Sequence, residues 1–387
     1  MNDNMTTVRE PLFHIVKRSG LTTKQAVLIR VYAVLAGLLL CGIICTAIFK
    51  VNPFSVYFEL FMGAFGTTDR IWYLVRDTAL LLGVGLALIP AFKMKFWNLG
   101  GNGQVLMGCL ASVACMHYLG GKIPDILVNI LMIITSIAAG ALWAVIPAIF
   151  KANFKTNESL FTLMMNYIAA GIVLFCIDSW VKTGSGVLVP IKEGNLITIG
   201  NDHVLTILVV AILTAFMYVY LKFTKHGYEL TVVGESENTA RYVGINVKKV
   251  IIRTLVLSGA ICGIIGLLLG GSINHTVTSE SAANRGFTGI MVAWLAKFDP
   301  LMMIVTAFGI TFLSRGMGQV QSAFGITNAA VSDIIIGLIY FCVIGCEFFI
   351  NYRIISRGKK NGKKKGKSVE AAEETVPTEN DGKGGKE

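Results

Sequence analysis

Side chains able to do chemistry are sparse in this sequence. The densest group is Phe96-Trp97-Asn98-Leu99-Gly100-Gly101-Asn102-Gly103-Gln104. Asn98, Asn102 and Gln104, with Asn166 further along the chain, carry amides that donate and accept hydrogen bonds without charge. Phe96 and Trp97 add aromatic faces that can stack on a base or a sugar. The glycines between them allow close approach of the backbone. This combination suits a neutral, polar, ring-containing ligand. Asn98 and Gln104 suit loop capping and helix–helix hydrogen bonding equally well. Asn166 and Ser258 fall inside apolar runs, where a lone polar group is costly, so each calls for a partner helix or a polar pathway.

Other chemistries find little support. The cysteines at 41, 45, 109, 115, 176, 262, 342 and 346 lie mostly in apolar runs. Cys41/Cys45 and Cys342/Cys346 share a helix face at i, i+4, but no His or Asp accompanies either pair, so they read as packing residues. The stretch Gly362–Ser368 imitates a phosphate loop with one residue too few between its glycines. The chain is therefore expected to be no enzyme, to bind no metal or cofactor, and to leave any ATP and Mg to a partner. Arg76 and Asp77 read as interface charges at the outer start of a span, and Glu347 as a snorkelling end residue. Proton- or sodium-coupled carriers usually place ionisable groups near the midplane, and such groups are nearly missing here.

The elements that must position these residues follow from composition. Of 387 residues, 54% are hydrophobic and 15% charged, against about 25% charged in soluble chains. Mean hydropathy is +0.66. Such a chain needs lipid to cover its surface. The net charge of +11 is dispersed between apolar runs and in the C-terminal segment, as topology signals are, which argues against nucleic acid. The expected class is an all-α, polytopic membrane bundle. Apolar runs fall at 31–49, 71–91, 104–119, 125–149, 159–177, 203–221, 251–270, 300–315 and 329–350. The first begins too far in, and runs too long, for a cleaved signal.

Lys and Arg before the first run, in the largest internal loop and after Arg353 place both termini in the cytoplasm. Nine runs then need a tenth crossing, for which the short piece 287–296 is available as a broken, interior helix. About ten transmembrane segments result. Residues 1–30 form a cytoplasmic N-terminal segment, 31–353 the membrane domain, and 354–387 a disordered tail too polar to pack. Gly259/Gly263 and Gly266/Gly270 repeat a small-xxx-small pattern that lets helix backbones meet.

The loop 222–250 holds more than a connection. Ser236 can cap a helix whose first residue, Glu237, suits the positive end of its dipole. Gly244 can close it in the left-handed region. Glu235, Glu237, Asn238 and Arg241 make the surface too polar to rest on lipid, and with Tyr242 it reads as a docking element for a cytoplasmic partner.

Four stretches resemble permease subunits of ABC importers for simple sugars and nucleosides, a group similar to the branched-chain amino acid permeases. They are Phe96–Gln104, Lys151–Glu158 with Met165–Ala169, Ala240–Val247 with Leu257–Ala260, and Gly286–Ala293 with Pro300. The similarity covers about 50 to 350. The region around Asn52-Pro53 and Gly63–Gly66 looks most like the nucleoside type. The resemblance implies a half-transporter in a bacterial plasma membrane, paired with a second permease subunit, a shorter paralogue. Two cytoplasmic ATP-binding subunits would drive it through the 235–244 element, and an external binding protein would deliver solute. One departure stands out: the family signature carries Glu where this chain has Asn102. The alternative is an ion-coupled secondary transporter of a small polar solute.

Overall fold

A computed structural model describes residues 13–17, 23–181, 187–198, 200–326 and 329–356. Thirteen helices account for nearly all regular structure among them: α1 Thr23–Phe49, α2 Pro53–Phe65, α3 Thr68–Lys93, α4 Gly101–Leu119, α5 Asp125–Phe154, α6 Glu158–Trp180, α7 Val204–Phe223, α8 Lys225–Glu235, α9 Glu237–Tyr242, α10 Val247–Leu267, α11 Arg285–Leu295, α12 Pro300–Ala323 and α13 Ala329–Asn351. A π-helical turn, Leu268–Asn274, extends α10. Among the described residues six helices are long and apolar enough to cross a bilayer: α3, α5, α6, α7, α10 with its π-helical extension, and α12. Shorter apolar stretches lie within α1 and α13.

The chain divides into two units. In one, β1 Phe13–Lys17 pairs antiparallel with β2 Tyr352–Ser356, Phe13 opposite Ser356 and Lys17 opposite Tyr352. Residues 354–356, expected in the disordered tail, are therefore strand. The remainder of that tail, 357–387, lies outside the described residues, as do 1–12 and 18–22.

The larger unit, Leu38–Tyr340, holds the helical core. Its centre is α3, where every residue from Thr78 to Phe92 is buried. Around it pack α2, α7, α10, α11 and α12. The most extensive pairing is α10 against α5, with α4 alongside. The glycine pattern explains this. A Cβ on Gly263 would meet Ser136 and Ile137 of α5, and one on Gly108 of α4 would stand 2.6 Å from the Gly263 Cα. Three helix backbones thus meet where no side chain fits between them.

Several elements depart from the expectations. α2 was not anticipated; Asn52 caps it by accepting from the Phe54 N–H at 3.0 Å, and Pro53 occupies its first turn. α8 likewise precedes the expected α9. α12 continues to Ala323 rather than stopping at 315, although Arg315 and Gln319 break its apolar pattern. Both are partnered across helices: Arg315 pairs with Asp77 of α3, and Gln319 donates to Glu59 of α2 at 3.0 Å. Partnered polar groups are tolerated where lone ones are not. Asp77 is therefore not a lone charge. It is 12% exposed and holds both Arg76 and Arg315. The side chain of Glu347 lies outside the described set.

Candidate functional site

The loop between α3 and α4 is built around Asn98. Its side chain is fully buried, donates to the Ser258 hydroxyl of α10 at 3.2 Å, and accepts from the Gly100 N–H at 3.1 Å and the Gln104 amide at 3.3 Å. Asn98 thus joins Gln104 and Ser258, while the Gln104 Oε1 is buried without a hydrogen-bond partner. These contacts hold the loop against α10. Of the two uses open to Asn98 and Gln104, the geometry favours capping.

Asn166 ties the next turn to α6. It accepts from the Gly103 N–H at 2.8 Å and donates to the Leu99 carbonyl at 2.9 Å. Thr162, one turn earlier on α6, accepts from the Leu99 N–H at 3.0 Å. These contacts occupy backbone groups that a helix start would otherwise leave unpaired.

Asn102 reaches the other way, to the broken-helix region. Its Oδ1 accepts from the Gly286 N–H at 2.7 Å, and its Nδ2 faces the Asn284 Oδ1 at 3.4 Å. A residue of α4 thereby caps the first turn of α11. The cap is needed because Asn284, which precedes α11, is left-handed at φ 54° and makes no side-chain cap of its own. Gly286 is required here by space: a Cβ would lie 2.6 Å from the Asn102 backbone nitrogen.

A cavity of about 170 Å³ opens at this junction of α4, α6 and the 279–287 segment. Asn102, Asn166, Tyr167, Glu280, Asn284 and Phe287 contribute to its wall. Tyr167, Glu280, Asn284 and Phe287 were not singled out from sequence as site residues. Tyr167 and Phe287 sit inside the recognisable stretches, and their aromatic type was the available signal. Phe96 and Trp97 do not join them. Phe96 is buried, and Trp97 lies 5.6 Å from Trp294 at the opposite, Lys-flanked end of α11.

At that end the expected short helix is α9. The Ser236 hydroxyl accepts from the Thr239 N–H at 3.2 Å, and Gly244 takes φ 83°. Arg241 pairs with Glu237 at 3.5 Å across one exposed turn, while Tyr242 is 92% exposed. A six-residue helix is held by its surroundings: Ala240 is buried, and on α8 a Cβ at Gly234 would strike the Lys93 carbonyl. Glu235, Ser236 and Glu237 line a shared crevice with Met94, Lys95 and Phe96.

Behind α8, Glu229 accepts from Arg253 of α10 at 2.8 Å. Burial acts to raise the Glu229 pKa, but Arg253, His226 and Lys225 outweigh it and hold the carboxyl below its ordinary value. Asp299, which caps α12 through the Leu301 N–H at 3.0 Å, pairs with Lys222 of α7 at 3.2 Å. Burial again opposes ionisation, and the Leu301 N–H with Lys222 overcomes it.

Apolar helices of bilayer length, a broken helix capped from a neighbour, a polar cavity at its start and a capped exposed helix at the other end define a multi-pass membrane transport subunit. Residues 70–344 match the family described as branched-chain amino acid transport system / permease component. The guanosine ABC transporter permease protein NupP of Bacillus subtilis is 30% identical over 81% of this chain and 92% of its own length. The nucleoside ABC transporter permease protein NupB of Lactococcus lactis is 28% identical over 86% of this chain and 92% of its own. A glucose ABC transporter permease protein of Haloferax volcanii is 28% identical over 84% and 88%. The chain belongs to this permease family and is a permease subunit of an ABC importer.

Proposed function

We propose that this subunit lines the membrane pathway for a neutral, ring-containing solute, a nucleoside ahead of a simple sugar. The observation that carries the reading is the cavity at the start of α11, walled by the Asn102, Asn166 and Asn284 amides and by Tyr167 and Phe287. Amides match the hydroxyl and base edges of such a solute, and the two rings can stack on a planar face. Glu280 at the same cavity can accept from sugar hydroxyls and disfavours an anionic solute. The guanosine and nucleoside permeases among the relatives support the same choice.

In this reading both termini are cytoplasmic, the chain makes about ten crossings with α11 the shortened one, and the membrane is the bacterial plasma membrane. A second permease subunit, a shorter paralogue, completes the pathway, and an external binding protein loads it. ATP and Mg are held by cytoplasmic ATPases that dock on Glu235, Ser236, Glu237, Arg241, Tyr242 and Gly244. Tyr242 supplies the exposed aromatic that such interfaces favour.

Movement at α8 and α9 reaches the cavity through contacts already described. Gly234 presses on the Lys93 carbonyl, the chain runs from there to Asn98, and Asn166 and Asn102 pass any shift to α6 and α11. An ion-coupled carrier is less well supported, because Asp77 is already paired with both Arg76 and Arg315.

The test is uptake of labelled nucleosides, sugars and amino acids by cells carrying the whole system. Nucleoside uptake that depends on the ATPase is expected, with Tyr167→Ala and Phe287→Ala reducing it. Uptake confined to amino acids or charged solutes would overturn the solute assignment.

A further inference from the structure

A second cavity, of about 540 Å³, lies on the other side of Ala283 and Asn284, between α3, α11, α12 and α13. Its charges do not balance. Among the described residues Asp77 is the one carboxylate in its wall, and it is already shared by Arg76 and Arg315. Both of those guanidinium groups also lie over the Tyr73 ring, at 5.0 and 5.6 Å. Arg285 enters the same wall with no carboxylate of its own among the described residues. Its hydrogen bonds among the described residues go to the Ser281 and Ala282 carbonyls, each at 3.5 Å, the outer limit of a hydrogen bond, and the Asp77 charge acts on it without direct contact. Among the described residues, Arg285 and Arg315 of the wall, with Arg76 beside them, therefore share one carboxylate, inside a membrane protein where unneutralised charge is expensive.

We propose that this cavity binds a small oxyanion, a phosphate or carboxylate group, which completes the charge balance at Arg285. The remaining wall is suited to it. Thr311 and Ser314 offer hydroxyl donors. Arg285 opens α11, an 11-residue helix, so the positive end of the helix dipole adds to its own charge. Guanidinium forks match the geometry of oxyanions better than that of a spherical ion. The proposal stands on this geometry and not on the solute reading above.

Depth bears on the source of the anion. Asp77 lies nine residues into α3 and Arg315 eight residues before the end of α12. At about 1.5 Å per residue both sit about 12–14 Å from those helix ends. A lipid phosphate at the level of the helix ends would have to reach inward by that distance, whereas a free anion could arrive through water.

The test uses the assembled importer in nanodiscs of zwitterionic lipid, with inorganic phosphate as probe and chloride at matched ionic strength as reference. Phosphate is expected to raise the unfolding midpoint of the permease saturably, beyond chloride. Arg285→Gln should weaken the apparent phosphate affinity at least about tenfold, the loss of one charge-assisted contact. Each variant's phosphate response is read against its own phosphate-free midpoint. Arg285→Lys, which keeps the charge, should retain a weaker response. If the Arg285-dependent effect appears only when phosphatidylglycerol is added to the discs, the oxyanion is a lipid headgroup. An Arg285→Gln importer that responds like the native one, or no response to phosphate or phosphatidylglycerol beyond chloride, would overturn the site.

Discussion

Replacing Asn102 by Ala removes the acceptor that the Gly286 N–H uses at 2.7 Å. Gly286 is buried, so water cannot readily take the place of that acceptor. Leaving a buried N–H unsatisfied costs about 1–3 kcal/mol. The longer Asn284 contact, at 3.4 Å, adds little. The loss falls on the first turn of α11, where no local cap can compensate. A penalty of that size lowers the population of docked α11 by about 5- to 150-fold relative to its alternatives. Transport should fall by a comparable factor, while the α4–α5–α10 seam keeps the bundle assembled.

Asn102→Asp separates the two halves of the contact. It keeps the acceptor, strengthens it with charge beside a helix N-terminus, and loses the donor to Asn284. It should retain α11 docking. Asn102→Glu, which restores the residue of the family signature, should change rate or solute preference without loss of folded protein. The assay is solute uptake by the reconstituted importer, with subunit stoichiometry and thermal midpoint measured on the same preparation. Wild-type uptake by Asn102→Ala would refute the claim that this amide positions the pathway.

Three further outcomes follow from the described contacts. Lys222→Gln breaks a partly exposed ion pair between α7 and the α12 cap, so it should cost little stability yet reduce solute moved per ATP hydrolysed; an unchanged ratio would show that this link transmits nothing. Arg241→Glu should weaken ATPase association while membrane insertion stays normal, measured by copurification of the subunits. The Glu229 carboxyl is held below its ordinary 4.5, so its stabilising effect is complete above that value and is lost as pH falls through the lower, folded value. The loss of stability caused by Glu229→Gln should thus be the same at pH 7 and at pH 5 and should shrink only as pH falls below about 4.5, read as the difference in unfolding midpoint between the two proteins; a difference that changes between pH 7 and 5 would contradict this assignment.

What could be read from sequence divides by the range of the physics involved. α9 was legible because its determinants are local: Ser236 and Gly244 act within a few residues of the helix they bound. The α10 seam was legible because a glycine repeat states its own purpose. Its partner helices were not, since Gly140 and Gly108 carry no mark of which backbone they meet. The pairing of Asp77 with Arg315 was missed for the same reason. Each looks like an isolated boundary charge until folding brings residues 238 positions apart together. Asn98 and Asn102 show the limit most clearly. Four residues apart and of one type, they do different work, because Asn98 turns toward Ser258 and Asn102 toward α11.

The glycine seam also constrains how the protein is made. Gly140 of α5 waits for Gly259 of α10, whose synthesis lies more than a hundred residues later. At about 5–20 residues per second that interval lasts roughly ten seconds. During it the insertion machinery holds an α5 whose small-residue stripe faces lipid or another nascent helix. A bulky substitution at Gly140 would do no harm in that interval, and the defect would surface only when α10 arrives and finds no place to dock. Quality control of such a variant would act on a full-length, membrane-inserted chain rather than on an arrested fragment.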